Sequence, residues 1–140
     1  MNALQKIKKL LTKYPHIQYE ETDYSISINP TNERGFIVGL DISEIDTFIV
    51  FFDGSHFIFY SEESALNFLY FGLSRNCRLK ILVLLKMHPQ RWEVQRKEGM
   101  VWKKYMEFEY GMSAFEGMIR RYLIEPLLYR TVYKQNNIIT

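Results

Sequence analysis

A two-residue Asp53-Gly54 turn between two strongly apolar segments is the feature that most limits what this chain can fold into. The segments read TFIVFF and SHFIFY, at residues 47–52 and 55–60. Asp-Gly favours the type I′ turn, whose twist matches that of an antiparallel hairpin. Both faces of these segments are apolar, which predicts central strands with both faces of the sheet covered. The sequence therefore predicts a β-hairpin inside a larger sheet.

Alternating apolar and polar residues predict further strands on both sides of this hairpin. Residues 24–29 and 36–42 alternate over two short segments separated by the turn-forming PTNERG. Residues 77–87 follow, with apolar side chains at the odd positions, and a second hairpin is predicted over residues 91–109. Ten Phe and ten Tyr in 140 residues agree with a sheet-rich fold, since aromatic residues favour strands.

Three helices are predicted around these strands. The first spans residues 2–14 and the second begins at Ser61. The third begins at the capping box formed by Ser113 and Glu116 and ends near Pro126, with residues 127–133 adding a turn or two. Residues 134–140 are expected to be a frayed tail. The prediction is a single α+β domain over residues 1–140, an antiparallel sheet of about seven strands in the order α-β-β-β-β-α-β-β-β-α, with helices covering one face.

The second hairpin poses a question of register. Trp92 and Val94 in its first arm, and Trp102 and Phe108 in its second, occupy even positions. Paired residues share a face of the sheet, so their numbers must sum to an even value if these side chains lie together. A three-residue loop over residues 97–99 meets this condition, with Gly99 at its left-handed position. This register predicts both tryptophans on the core face.

Charge is distributed unevenly along a chain whose net charge is only +2. Residues 1–14 carry four lysines and no acid, residues 15–74 carry ten acids and one arginine, and residues 75–104 carry nine bases and two acids. Two interpretations stay open. The charges neutralise each other or lie on opposite solvated faces, or a basic or acidic face binds a partner of opposite charge.

Catalytic, metal and cofactor motifs are not evident in the sequence. His16, His56 and His88 lack the spacing of metal ligands, and the glycines form no phosphate-binding loop. Cys77 borders an apolar strand, which favours a buried, inert thiol. We therefore expect no enzyme activity, cofactor, metal or membrane partner. The absence of a disulfide pair and of a signal-peptide pattern at the N-terminus indicates a cytoplasmic protein.

The charged face of the predicted 78–105 sheet is the candidate binding surface. Its basic residues are Arg78, Lys80, Lys86, Arg91, Lys97 and Lys103, and its candidate protein-contact residues are Leu82, Leu84, Val101 and Tyr105. An apolar centre with a charged rim is typical of protein interfaces, so a protein-binding or adaptor role with another protein or a second copy is the main hypothesis. Secretion chaperones, which the element order loosely resembles, and immunity proteins have such roles. The alternatives are a nucleic-acid-binding module and an enzyme or ligand-binding domain without a recognisable motif.

Overall fold

The computed structural model describes residues 1–44, 46–84, 88–109 and 129–139. They form two compact units: a first unit of Met1–Cys77 with Gln135–Thr140, and a second unit of Arg78–Lys134. The described helices and strands are α1 (Ala3–Leu11), β1 (Tyr19–Glu21), β2 (Ser25–Ile28), β3 (Val38–Glu44), β4 (Thr47–Phe52), β5 (Ser55–Phe59), α2 (Glu62–Leu73), β6 (Cys77–Leu84), β7 (His88–Glu98), β8 (Val101–Glu109) and β9 (Tyr129–Lys134). The α+β class with antiparallel sheets is confirmed. The single-domain assignment stays a prediction.

The strands form two sheets where one was expected. The first unit holds a five-stranded sheet in the order β1-β2-β3-β4-β5, and the second a four-stranded sheet in the order β8-β7-β6-β9. All seven predicted strands are present, and β1 and β9 are additional. Residues 129–133 were expected to extend a helix. They instead belong to β9, because Leu79↔Lys134 through Leu84↔Tyr129 pair it with β6. The predicted third helix lies outside the described residues.

The predicted Asp53-Gly54 hairpin is present and pairs Phe52 with Ser55. Asp53 adopts a left-handed backbone with φ 57°, as a tight hairpin turn requires. Strand β4 is central, but β5 is an edge strand and its Ile58 is 52% exposed. The expectation that both faces of both strands are covered is therefore wrong for β5. This matters because it leaves apolar side chains of the sheet in contact with solvent.

The first unit's core lies between one face of its sheet and α2. The Phe52 ring stacks on Phe68 of α2 at a centroid distance of 4.5 Å with an interplanar angle of 10°. A Cβ atom on Gly72 would lie 2.4 Å from the Phe52 ring, so the helix can approach this closely only with glycine at that position. Ser61 caps α2 by accepting a hydrogen bond from the Ser64 amide at 3.2 Å, as predicted.

Helix α1 begins with a capping box formed by Asn2 and Gln5. Asn2 accepts from the Gln5 amide at 2.9 Å, and the Gln5 side chain accepts from the Asn2 amide at 2.9 Å. The helix buries Leu4, Ile7 and Leu11 and ends at Leu11, shortly before the predicted stop at Tyr14. Lys8 and Glu21 join α1 to β1 through a 2.9 Å ion pair, and the hydrogen bond to Glu21 raises the pKa of Lys8.

The C-terminal segment differs from the frayed tail that was expected. Asn136 is 2% exposed and its side chain is hydrogen-bonded to Phe36 and Gly72. Ile138 is buried, and its amide donates to the Leu73 carbonyl at 3.0 Å. The chain thus returns from the second unit to pack into the first, because one buried amide side chain and one buried apolar side chain hold it there.

The hairpin of β7 and β8 has a different register from the predicted one. Glu98 pairs with Val101 across a two-residue Gly99-Met100 turn, and Gly99 has φ 62°. The residue numbers of this pair sum to an odd value. A β-bulge lies between Val94↔Met106 and Gln95↔Lys104, and the pairs from Val94↔Met106 outward have even sums. The register passes over Tyr105, which is the extra residue of the bulge. The predicted loop over residues 97–99 is therefore wrong.

The bulge changes which side chains of β8 lie on the core face. Even-numbered residues lie on it beyond the bulge, and odd-numbered residues lie on it between the turn and the bulge. Beyond it, Trp92 pairs with Phe108 on the core face, with ring centroids 5.6 Å apart. On the turn side, Trp102 pairs with Lys97 and lies on the opposite face of the sheet from Trp92. The two tryptophans therefore do not share the core, and Lys104, which pairs with Gln95, leaves the core face together with Trp102.

Candidate functional site

Two surfaces carry the features of a binding site, one in each unit. We call the first the arginine face, which is one side of the four-stranded sheet. The pairings of β6 with β9 and of β7 with β8, together with the Arg78–Gln95 hydrogen bonds, place the following residues on it: Arg78, Lys80, Leu82, Arg91, Glu93, Gln95, Lys97, Trp102, Lys104, Glu107, Glu109, Thr131 and Tyr133.

One arginine of this face contacts two aromatic rings, and we call these three residues the arginine sandwich. The Arg78 guanidinium carbon is 4.6 Å from the Trp102 ring centroid and 4.4 Å from the Tyr133 ring centroid. Trp102 and Tyr133 come from the two edge strands, β8 and β9. Each contact of this kind contributes about 0.5–1 kcal/mol when exposed and more when desolvated. The sandwich therefore fixes all three planar groups relative to one another.

Hydrogen bonds to Gln95 also hold the Arg78 guanidinium. Arg78 donates from Nε and Nη2 to the Oε1 atom of Gln95, at 2.8 and 2.6 Å. Gln95 is 7% exposed, and its Nε2 atom donates to a Glu93 carboxylate oxygen. Because the amide oxygen accepts from Arg78 while the amide nitrogen donates to Glu93, Gln95 cannot turn over without losing both interactions. The guanidinium plane is thus set by the sheet itself.

The remaining charges of the arginine face are unequally matched. Arg91 lies 3.7 Å from oxygens of both Glu107 and Glu109, and Lys104 forms an ion pair with Glu107. Lys80 and Lys97 form no ion pair within the described part of the chain. The face carries five bases and three acids, so it has an excess of positive charge.

The structure brings together only part of the predicted site. Arg78, Lys80, Arg91 and Lys97 share the arginine face, as does Leu82, although Leu82 is buried rather than exposed. Three other predicted residues, Val101, Lys103 and Tyr105, lie on the opposite side. The two-residue turn pairs Val101 with Glu98 and Lys103 with Arg96, and Tyr105 stacks on Arg96 at 4.3 Å. Lys86 and the side chain of Leu84 lie outside the described residues. The predicted apolar centre of Leu82, Leu84 and Val101 is thus not assembled on one face.

Sequence reasoning missed both aromatic residues of the sandwich. Trp102 was assigned to the core because a regular hairpin was assumed, and Tyr133 was assigned to a helical extension. A usable signal existed for Tyr133, since residues 129–134 alternate in the manner of a strand. For Trp102 no local signal was available, because nothing in the sequence marks the position at which the bulge occurs.

The second surface, which we call the outer face, is the side of the five-stranded sheet directed away from α2. Strand pairing aligns Glu20, Ser27, Gly39, Phe51 and His56 in one row and Ser25, Asp41, Ile49 and Ile58 in the next. An antiparallel sheet usually has polar side chains on its solvated face. Here the central strand β4 places Ile49 and Phe51 there instead, and the edge strand β5 places Ile58 there.

The apolar residues of the outer face form a connected strip. Ile49 and Ile58 are cross-strand partners, and Ile58 is 52% exposed. The Phe51 ring lies across its partner Gly39, because a Cβ atom on that glycine would be 2.0 Å from the ring. Around this strip, Glu20 and Asp41 are exposed. Strands β1–β5 contain no lysine or arginine, so the described outer face is acidic as well as apolar.

An open groove in the first unit is a third, weaker candidate. Its lining residues are Lys6, Glu62, Glu63, Leu66, Asn67 and Tyr70. Lys6 forms an ion pair with Glu62 across it, so these two charges satisfy each other. Burial raises the pKa of Tyr70, and the nearby Lys6 opposes this shift. A group that holds its proton more tightly than an ordinary tyrosine is a poor nucleophile or base near neutral pH.

Metal and membrane sites have no candidate in the described part of the chain. No group of three or more His, Cys, Asp or Glu within it could hold a metal ion. None of the described helices is long and apolar enough to cross a membrane. No protein-family model matches the sequence, and no curated protein or solved structure matches it significantly. The arginine face and the outer face are the two candidate binding surfaces of the described residues.

Proposed function

We propose that this protein is a protein-binding module that uses the outer face of its five-stranded sheet. The observation that carries the proposal is the apolar strip of Ile49, Phe51 and Ile58 on a face that is normally polar. Exposed apolar patches rimmed by polar residues mark protein interaction sites. The proposed role is that of an adaptor and assigns no catalytic chemistry to the chain.

The partner we propose is a chain segment that combines apolar side chains with lysine or arginine. Glu20 and Asp41 flank the strip, and β1–β5 offer no cation to repel such a segment. Charge complementarity of this kind increases the association rate and suppresses wrong partners. The main affinity would come from burying Ile58 and its neighbours, since central apolar residues dominate most interfaces.

A competing occupant is a second copy of this chain. The first unit carries six bases and ten acids, and the second unit carries twelve bases and six acids. The second unit of another copy could therefore supply the cationic surface. Such head-to-tail contacts form rings or open filaments rather than closed dimers. We favour a separate partner protein for this reason.

The test is affinity capture with matched variants, followed by binding measurements on each purified partner. Ile58→Lys places a cation in the strip, and Asp41→Lys reverses charge at its rim. Tyr24→Lys is the control, because Tyr24 is 70% exposed in the same unit but lies outside the strip. We expect the partner to bind the wild type and the control alike, and to bind Ile58→Lys at least about tenfold more weakly. Asp41→Lys should slow association and reduce its salt dependence.

Two results would count against this proposal. If sedimentation shows concentration-dependent self-association that Ile58→Lys abolishes, the occupant is a second copy. If every purified partner binds all variants equally, the outer face is not the binding surface.

A further inference from the structure

The arginine face of the second unit carries a second binding function that does not depend on the outer face. We propose that it binds single-stranded nucleic acid, with unpaired bases stacking on Trp102 and Tyr133 and phosphates contacting Lys80 and Lys97. Single-strand-binding proteins combine aromatic platforms with a positively charged surface that follows the backbone. Both components occur together on this face.

The aromatic platforms are held in a fixed orientation before any ligand binds. Arg78 contacts one face of each ring, at 4.6 Å for Trp102 and 4.4 Å for Tyr133. Tyr133 is 49% exposed, so much of its ring stays open to solvent. Because Gln95 fixes the guanidinium plane by two hydrogen bonds, neither ring has to be reoriented from a disordered state. Preorganised groups lose less conformational entropy when a ligand binds.

The charge pattern of the arginine face favours a polyanion as its ligand. Three of the five bases on this face have acidic neighbours, either directly or, for Arg78, through Gln95. Lys80 and Lys97 have no ion-pair partner in the described residues, and they lie on β6 and β7, on the same side of the sheet as the rings. Their ammonium groups can therefore bind phosphates without first breaking an internal ion pair.

A single strand fits these features better than a duplex. Both rings offer flat surfaces, and a duplex keeps its bases stacked on one another inside the helix. An unpaired base can stack on a ring whatever its sequence, since every base has a π-face. An acidic polypeptide would satisfy the lysines but would leave the rings unused. Dependence of binding on the rings thus separates the two classes of polyanion.

The experiment measures binding of fluorescent single-stranded RNA and DNA oligonucleotides to the full chain, by anisotropy over a range of salt. Tyr133→Leu and Trp102→Leu remove one platform each and should weaken binding about 5- to 150-fold. Lys80→Ala with Lys97→Ala should reduce the slope of log K against log salt by about 1.4. Quenching of tryptophan fluorescence in a Trp92→Phe background reports stacking on Trp102 directly.

Matched controls come from the opposite side of the same hairpin. Tyr105 is 46% exposed and stacked on Arg96, and Lys103 pairs with Arg96 across the strands. Tyr105→Leu and Lys103→Ala should leave binding within about twofold of the wild type. If Trp102→Leu fails to fold, Tyr133→Leu at the sheet edge decides the result alone.

Several outcomes would overturn the proposal. One is no binding to any single-stranded oligonucleotide at low salt. Another is equal affinity for duplex, heparin or polyglutamate, which would identify a general polyanion surface or an acidic protein partner. A third is equal loss of binding in the Tyr105→Leu control, which would place the ligand on the other face.

Discussion

Replacing Asn136 by alanine should destabilise the first unit by about 3–5 kcal/mol. The Asn136 Oδ1 atom accepts from the Phe36 amide at 3.0 Å, and its Nδ2 atom donates to the Phe36 and Gly72 carbonyls at 3.1 and 3.0 Å. Alanine leaves one buried donor and two buried acceptors without this partner. An unsatisfied buried group costs about 1–3 kcal/mol, and carbonyls lie at the lower end because they retain a second lone pair. The sum is a large part of a typical domain's stability.

Urea unfolding of the wild type and Asn136→Ala measures this difference in free energy. Hydrogen exchange adds a local readout, because the Phe36 amide loses its acceptor and should exchange faster. Asn137→Ala is the matched control, since Asn137 is the adjacent residue and is exposed. This prediction is refuted if Asn136→Ala costs less than about 1 kcal/mol, which is the value of one ordinary hydrogen bond. It is also refuted if Asn137→Ala costs as much.

Two further predictions concern the hairpin turn and the groove. Gly99→Ala should destabilise the chain by about 1 kcal/mol in thermal unfolding, because Gly99 has a left-handed backbone with φ 62°. No atom lies within 4 Å of the position of the new Cβ, so the cost comes from the backbone and not from a clash. Gly99→Asn should cost less, and equal stability of the wild type and both variants would contradict the left-handed turn. Burial raises the pKa of Tyr70, so the unfolded chain loses the Tyr70 hydroxyl proton at a lower pH than the folded chain does. The contribution of Tyr70 to the free energy of unfolding is therefore present below about pH 10 and is lost as pH rises through the folded pKa. The wild type should therefore lose more unfolding free energy between about pH 9 and pH 11 than Tyr70→Phe does, and parallel pH profiles would contradict this.

The β7–β8 hairpin shows which side-chain positions the residue pattern within one hairpin can predict. Parity required Trp92 and Val94 to share a face with Met106 and Phe108, and they do. A three-residue loop and a two-residue turn followed by a bulge both satisfy that requirement. The difference between them is whether Trp102 joins the core or the arginine face. Arg78, which approaches from another strand, contacts Trp102 in the observed register. Tertiary contacts of this kind are invisible to a pattern within one hairpin.

The candidate sites were predictable to different degrees. The bases of the arginine face follow from alternation along β6 and β7, so Arg78, Lys80 and Lys97 were placed correctly. Its aromatic residues were not, because the side of Trp102 depends on the turn and bulge of its hairpin, and Tyr133 lies on a strand whose partner β6 is distant in the sequence. The outer face was missed for another reason. Apolar residues on both sides of β5 predicted a covered strand, whereas β5 is at the edge of its sheet.

By itself, the sequence determined the type of most elements and the side of each strand that is apolar. These properties depend on residues that are close in the chain, through helix caps, turn residues and the two-residue period of a strand. Tertiary structure alone decided that the strands divide into two sheets, that β9 pairs with β6, and that Asn136 returns to Phe36. Each of these depends on contacts between residues far apart in sequence. The free energy of such contacts has to exceed the entropy of closing a long loop, and no local pattern contains that balance.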